Sequence, residues 1–214
     1  MSSRRAWGAA LAVTLAVVTA VGLWLPGMAR ALVCAGGDAP SDAIIVENFD
    51  LDFRLFEGAA TLQRQGSSAR VLIPTAAAGD DSRVANPVDR EIAALMARMA
   101  RIEDPEIVPV HATEPYALSA AYDIRAFLMR ERVGSVLVLS PALRSRRSLL
   151  VYRHVLAPAG IRVHCQAVFG QHTPENWTST WHGIQVVTEQ FVKLQYYRFW
   201  VLRADGPYPG ASGG

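Results

Sequence analysis

The stretch Ser41-Asp42-Ala43-Ile44-Ile45-Val46-Glu47-Asn48 is the strongest indication of the fold in this chain. It is a short apolar run that ends in a carboxylate and an amide, and an amphipathic helical pattern follows it. The same alternation of strand and helix recurs four more times along the chain. Repeated strand–helix units predict a parallel sheet, and ligands of such sheets bind at the carboxyl ends of the strands. The stretch therefore predicts both an α/β fold and the position of a site.

Five apolar segments have the length and composition of buried strands: 43–46, 70–74, 107–110, 136–139 and 161–168. The fourth is apolar on both faces, as central parallel strands are. Pro109 would remove a ladder donor from the third, which favours either an edge position or irregular pairing. We therefore predict a three-layer Rossmann-like α/β sandwich, with a mostly parallel five-stranded sheet over residues 41–202 and helices on both faces.

Helical spacing of apolar residues separates these strands. The third helix, at residues 115–132, places Leu118, Ala121, Ile124 and Leu128 on one face. The pattern also predicts which side chains of the second and last helices are buried. These are Val88, Ile92, Leu95, Met99 and Ile102 in the second helix, and Ile184, Val187, Phe191 and Leu194 in the last.

The chain begins with a segment typical of a membrane anchor. Residues 6–25 are 20 uncharged, mostly apolar positions, and Arg4 and Arg5 precede them. At about 1.5 Å per residue they would cross a bilayer core as a helix, and the preceding positive charge predicts a cytoplasmic N-terminus with an exported body. We expect a transmembrane anchor at 1–27 in the inner membrane, a linker at 28–40 and a disordered tail at 203–214. The alternative is a cleaved signal peptide, but the run exceeds the usual length of about 7–15 residues.

Two cysteines occur, Cys34 in the linker and Cys165 in the fifth predicted strand. An exported location would permit a disulfide. However, the sequence does not show whether the two cysteines pair, and we expect two unpaired thiols. A lipoprotein anchored through Cys34 is disfavoured, because Val33 stands where a small residue is expected.

Composition and motifs narrow the function classes. Hydrophobic residues make up 51% of the chain, which is ample for a packed core. The net charge of +2 does not favour nucleic acid as a partner. The chain has no Gly-x-Gly-x-x-Gly after the first strand, no Walker motif and no close histidine pair, so neither a cofactor nor a metal is predicted.

Polar residues at the predicted strand ends are the candidate site. Arginines at the start of the fourth helix would oppose the helix dipole, which favours an anionic partner nearby. Ser140 lacks a Gly-x-Ser-x-Gly elbow, which disfavours a hydrolase triad. Glu91 also fits the simpler role of an acidic residue near a helix N-terminus. The candidates are Glu47 and Glu91 as catalytic groups, and Asn48, Arg54, Thr75, Ser140, Arg144 and Arg147 as ligand-binding groups.

The last predicted helix and its approach are rich in aromatic residues: Trp177, Trp181, Tyr196, Tyr197 and Trp200. Core packing is the expected role for such residues. The alternative is a border with the membrane or with a partner.

Several short motifs occur together along residues 41–202. They are Asp42-Ala43-Ile44-Ile45-Val46, Arg54 with Ala59, Glu91, Val138-Leu139-Ser140-Pro141 followed by Arg146 or Arg147, and Trp181-His182-Gly183 with Glu189, Lys193-Leu194 and Tyr196-Tyr197. Together they resemble the YdcF/SanA/ElyC-like envelope family. The resemblance implies an exported YdcF-like domain with a role in cell-envelope or exopolysaccharide biogenesis, and it carries over Arg54, Glu91, Ser140 and Arg147.

Three departures from that family pattern lie at strand ends. Glu47-Asn48-Phe49 replaces a glycine run, and Ala117-Leu118-Ser119-Ala120 replaces an Asn-Thr-x-Glu-like segment. The family histidine after the Ser-Pro turn falls on Leu143 or Arg144. The departures imply a divergent ligand or the loss of an ancestral activity.

Three functional hypotheses follow. In the first, Arg54 and the arginines at 144–147 hold the phosphate or uronate of an envelope precursor, and Glu47 contacts its hydroxyls. In the second, a hydrolase or transferase acts on such a precursor, with Glu47 or Glu91 as general base. In the third, the domain is a structural partner of polysaccharide assembly proteins.

Overall fold

The computed structural model describes residues 27–36, 39–68, 70–79 and 83–204. Its strands are β1 (Ala43–Val46), β2 (Arg70–Ala76), β3 (Pro105–Val110), β4 (Ser135–Pro141) and β5 (Arg162–Val168). They form one sheet in the order β3-β2-β1-β4-β5, and every pairing is parallel. The predicted Rossmann-like α/β fold is therefore confirmed, with a fully parallel sheet. The edge position predicted for the strand that contains Pro109 is also confirmed.

The helices are α1 (Phe53–Arg64), α2 (Pro87–Ala100), α3 (Tyr116–Arg130), α4 (Ala142–Leu156) and α5 (Trp181–Phe199). Within the described residues no helix is long and apolar enough to cross a membrane. Nearly all of the anchor predicted at residues 1–27 lies outside those residues, as does nearly all of the predicted disordered tail.

Side chains of β1 alternate between two cores, one on each face of the sheet. Ile44 and Val46 pack with α1 and α2. Ala43 and Ile45 pack on the other face with α3 and α4. Helix α5 packs on α4 and so lies further out on that second side. This alternation determines which helices a residue just beyond the strand will meet.

The direction in which the sheet is built reverses at β1. Strands β2 and β3 extend it to one side of β1, whereas β4 pairs with the other side in the register Val46↔Leu139. The connections that follow β1 and β4 therefore lead away from each other. This switch point is where open α/β sheets form a ligand crevice.

The buried face of α2 differs from the prediction. Ala93, Ala97 and Ala100 are buried, whereas Val88, Leu95 and Met99 are exposed. The helix carries two apolar stripes, and the alanine stripe packs inward because small side chains allow close packing against the neighbouring helix and sheet. The larger residues gave the stronger sequence signal but lie on the outer face.

The last helix also departs from its prediction. Val187 and Leu194 are buried as expected, but Ile184 is exposed. The aromatic residues divide in the same way. Trp177 and Tyr197 lie in the core, whereas Trp181, Tyr196 and Trp200 are exposed, so core packing is wrong for these three.

The linker is docked on the domain. Ala29 and Leu32 are buried in a cluster with residues of α4 and α5, among them Leu143 and Val187. This packing brings Cys34 to β5, where it forms a disulfide with Cys165 across 131 positions of sequence. The expectation of two unpaired thiols is therefore wrong, because it treated the linker as a segment without tertiary contacts.

Candidate functional site

The site lies at the carboxyl ends of β1 and β4. Glu47 follows β1 directly, and its N–H donates to the Leu139 carbonyl at 3.0 Å. This bond continues the ladder by one residue, which places Glu47 beside Ser140. Because side chains alternate along a strand, both residues point to the face covered by α3 and α4.

Glu47 is buried, with 1% of its surface exposed. The Ser148 hydroxyl donates to its Oε2 at 2.6 Å, and Arg144 Nε lies 3.9 Å from the same oxygen. Burial raises the pKa of Glu47, and the positive charge of Arg144 and the Ser148 hydrogen bond only partly oppose that rise. Glu47 therefore holds a proton to higher pH than an exposed glutamate would.

Arg144 and Arg147 bring two positive charges to this carboxylate. Arg144 also contacts Asp50, whose side chain is exposed. Arg147 is half-buried and lies over the ring of Tyr197, with 5.3 Å between its guanidinium carbon and the ring centroid. Burial lowers the pKa of Arg147. Among the described residues no carboxylate oxygen lies within 4.0 Å of its guanidinium, so its charge lacks a direct ion pair.

One face of α4 provides this wall of the site. Arg144, Ser148 and Tyr152 are spaced four residues apart and therefore lie above one another along the helix. The helix begins after Pro141 and has no side-chain cap, so N–H groups of its first turn have no side-chain partner there. The N-terminal end of a helix attracts negative charge.

Four buried polar atoms around Glu47 have no hydrogen-bond partner within the described part of the protein: Asn48 Oδ1, Ser140 Oγ, Arg144 Nε and Tyr152 OH. Leaving a buried polar group without a partner costs about 1–3 kcal/mol. Four at one switch point indicate a region adapted to a polar ligand. Burial raises the pKa of Tyr152 well above its usual value, and a negative charge on Glu47 acts in the same direction. Tyr152 is therefore a neutral hydroxyl that can both donate and accept.

The structure brings together four of the residues predicted from sequence, Glu47, Ser140, Arg144 and Arg147, and Asn48 follows Glu47 directly in the chain. Sequence reasoning missed Ser148, Tyr152 and Tyr197. The four-residue spacing from Arg144 through Tyr152 was a signal for the first two. No local signal connects Tyr197 to Arg147, because they meet only when α5 packs on α4.

The other three predicted residues belong to the opposite side of the sheet, which α1 and α2 cover. Thr75 continues the alternation of Val71 and Ile73 toward that side, and its hydroxyl donates to the Ile73 carbonyl at 3.2 Å. Arg54 is exposed on α1 and lies against the loop after β5, since a Cβ at Gly170 would be 3.0 Å from its Nη1. Glu91 is exposed on α2, and no described hydrogen bond or ion pair joins it to Glu47.

A second polar pair lies at the end of β3. His111 Nδ1 is 3.0 Å from Asp123 Oδ2, which also accepts from the His111 N–H at 2.7 Å. Among the described residues no group of three or more His, Cys, Asp or Glu side chains has the arrangement of a metal site.

No family model, characterised protein or solved structure matches this chain. The function of this domain is therefore inferred from the geometry of the site and from the motifs of the sequence.

Proposed function

We propose that this domain binds the anionic group of a cell-envelope precursor, a phosphate or a uronate, between Glu47 and α4. In this proposal it is an accessory protein of envelope or exopolysaccharide biogenesis. The observation that carries the proposal is Arg147, a half-buried cation whose guanidinium has no carboxylate within 4.0 Å among the described residues. A burial that lowers the pKa of an arginine is costly, and a bound anion would offset that cost.

The charges around the site favour an anion. Two guanidinium groups, Arg144 and Arg147, face one buried carboxyl whose pKa is raised. Asp50 is exposed and can turn away from Arg144 into solvent. A phosphate or carboxylate would then receive charge-assisted hydrogen bonds from arginine, which are stronger than neutral ones.

The buried polar atoms indicate what else the ligand carries. Asn48 Oδ1 is an acceptor, whereas the hydroxyls of Ser140 and Tyr152 both donate and accept. A sugar bearing an anionic group offers hydroxyl donors and acceptors next to its charge. A sugar phosphate or a uronic acid therefore suits this site better than a simple anion does.

The disulfide supports the exported location in this proposal. Disulfides persist in oxidising compartments and are rare in the cytosol. The bond between Cys34 and Cys165 thus agrees with a body on the exported side. The motifs shared with the YdcF-like family support the envelope role.

Isothermal titration of the full chain in detergent micelles tests the proposal, with inorganic phosphate, glucuronate, glucose 1-phosphate and glucose as probes. Glucose 1-phosphate or glucuronate should bind more tightly than phosphate or glucose alone. Arg147→Gln should weaken that binding at least tenfold. The matched control is Arg153→Gln, which removes the same charge from an exposed position on the same helix. Equal binding by both variants, or no binding of any probe, would contradict the proposal.

The alternative is a hydrolase or transferase acting on such a precursor, and the raised pKa of Glu47 favours it. A carboxyl that keeps its proton to higher pH than an exposed glutamate does can act as a general acid, and Ser148 fixes its orientation. Glu47→Gln separates the two functions, because it keeps the shape of the side chain but cannot transfer a proton. Wild-type turnover of a sugar phosphate that the variant binds but no longer converts would establish the enzyme. Binding without turnover by the wild type would leave the accessory role.

A further inference from the structure

The outer face of α5 is a continuous uncharged stripe. It consists of Trp181, Ile184, Thr188, Val192, Tyr196 and Phe199, which recur at helical spacing and are all exposed. Trp181 is 72% exposed and Val192 is 61% exposed. We call these six residues the outer stripe.

The outer stripe is not the core-facing side of the helix. Val187, Leu194 and Tyr197 form that side and are buried against the domain. Helix α5 is therefore apolar on two opposite faces. An exposed apolar surface of this kind marks an interaction site, since a solvated helix carries polar residues on its outer face.

Basic and aromatic residues gather at the C-terminal end of the outer stripe. The guanidinium carbons of Arg198 and Arg203 lie 5.5 Å and 5.3 Å from the centroid of the Phe199 ring. Trp200 follows and is 74% exposed. Exposed tryptophan beside arginine is the composition of surfaces that meet lipid headgroups.

The N-terminal part of the chain reaches the domain beside this helix. Met28 packs on a cluster that contains Ala29, Leu32 and, from the core-facing side of α5, Val187 and Leu194. The uncharged run at 6–25 ends three residues before Met28. Three residues of chain span at most about 10 Å. A bilayer that holds this run would therefore have its surface within about 10 Å of a residue packed against α5.

We propose that the outer stripe lies in the interfacial region of the bilayer that holds residues 6–25, with Arg198 and Arg203 on anionic headgroups. The stripe would then act as a second membrane contact and set the orientation of the domain. This inference rests on the membrane anchoring in the proposed function, but it does not depend on the ligand of the Glu47 site.

Nitroxide accessibility in reconstituted protein tests this proposal. The native cysteines are joined in a disulfide, so Thr188→Cys creates a single reactive thiol in the middle of the outer stripe. Thr61→Cys is the matched control, because Thr61 is also an exposed helical threonine but lies on α1, across the sheet. The full chain of each variant is labelled and placed in vesicles of phosphatidylcholine and phosphatidylglycerol.

The label at Thr188 should be more accessible to oxygen, which concentrates in the bilayer, than to a water-soluble nickel chelate. The label at Thr61 should show the reverse preference. Equal nickel accessibility at the two positions would overturn the proposal, as would a chain that does not float with the vesicles. Dipolar coupling between Thr188 labels of different molecules would also overturn it, since a second copy would then cover the stripe.

Titration with glucose 1-phosphate in the same vesicles keeps this inference separate from the proposed function. If the protein binds the sugar phosphate while the label at Thr188 is exposed to water, only the membrane contact is contradicted. If the label at Thr188 lies in the bilayer but the protein does not bind the sugar phosphate, only the ligand proposal is contradicted.

Discussion

The Ser148 hydroxyl donates a 2.6 Å hydrogen bond to the buried carboxylate of Glu47, across 101 positions of sequence. This contact ties the first turns of α4 to the end of β1. It joins the two sides of the switch point. It also orients Glu47, which among the described residues is the one buried carboxyl at that point.

Ser148→Ala should destabilise the fold by about 1–3 kcal/mol, because the buried Glu47 carboxyl loses a hydrogen-bond donor. Chemical denaturation at neutral pH measures the change in the free energy of unfolding. Ser179→Ala is the control, since Ser179 is exposed and should change stability by less than about 0.5 kcal/mol. Equal changes in the free energy of unfolding for the two variants would show that the contact between Ser148 and Glu47 does not stabilise the fold.

Glu47 should make stability fall as pH rises. Its folded pKa is raised, so the folded state binds more protons than the unfolded state between the ordinary pKa of 4.5 and the raised one. The stabilising contribution is complete below 4.5 and is lost as pH rises through the folded pKa. Unfolding curves of wild type and Glu47→Gln across pH 4–9 measure this. The stability of the wild type relative to the variant should decrease with pH, and a constant difference would contradict the raised pKa.

Reduction of the Cys34–Cys165 disulfide should destabilise the protein by about 2–5 kcal/mol, because the bond closes a long loop. It should also weaken sugar-phosphate binding. The docked linker contacts the start of α4 through two hydrogen bonds of 2.9 Å. The Cys34 N–H donates to Ser145 Oγ, and the Arg146 N–H donates to the Leu32 carbonyl. Thermal unfolding and titration with and without reductant measure the two effects.

The double variant Cys34→Ser/Cys165→Ser is the control for that experiment. Reductant should have no further effect on it. An unchanged unfolding midpoint of the reduced wild type would show that the linker packing holds without the bond.

Two substitutions on α2 should change the free energy of unfolding by very different amounts. Ala97→Leu should cost about 1–3 kcal/mol, because Ala97 is fully buried and a larger side chain overpacks its contact with the core. Met99→Ala should be nearly neutral, since Met99 is 63% exposed two positions away on the same helix. Denaturant unfolding of both variants measures the contrast, and the opposite order would reverse the assignment of the buried face.

Local patterns predicted the elements whose signals were unambiguous. The run Ala43–Val46 is apolar throughout and bounded by polar residues, so the strand could be read directly. In α3 one stripe of large residues, Leu118, Ile124 and Leu128, was the buried face as expected. In α2 two stripes competed, and the choice between them depends on how closely the helix approaches the sheet. Periodicity carries no information on that distance.

The residues predicted for the site lie on two different faces of the sheet, for a similar reason. The predicted position at strand ends applied to Ser140 and Thr75 alike, but side-chain alternation sends them to opposite faces of the sheet. A strand end can be located from sequence without knowing which helices cover each face. Arg54 and Arg147 were thus equal candidates until the crossovers placed α1 on one side and α4 on the other.

The position of Glu47 at the carboxyl end of a buried parallel strand follows from local sequence, because hydrophobic periodicity and the residues that end a strand are local properties. Tertiary packing alone brings Ser148, Arg144 and Tyr152 to Glu47, and Cys34 to Cys165. Those contacts join segments about a hundred or more residues apart. They depend on the order of strands in the sheet and on the packing of α4 and the linker, which no single stretch of sequence encodes.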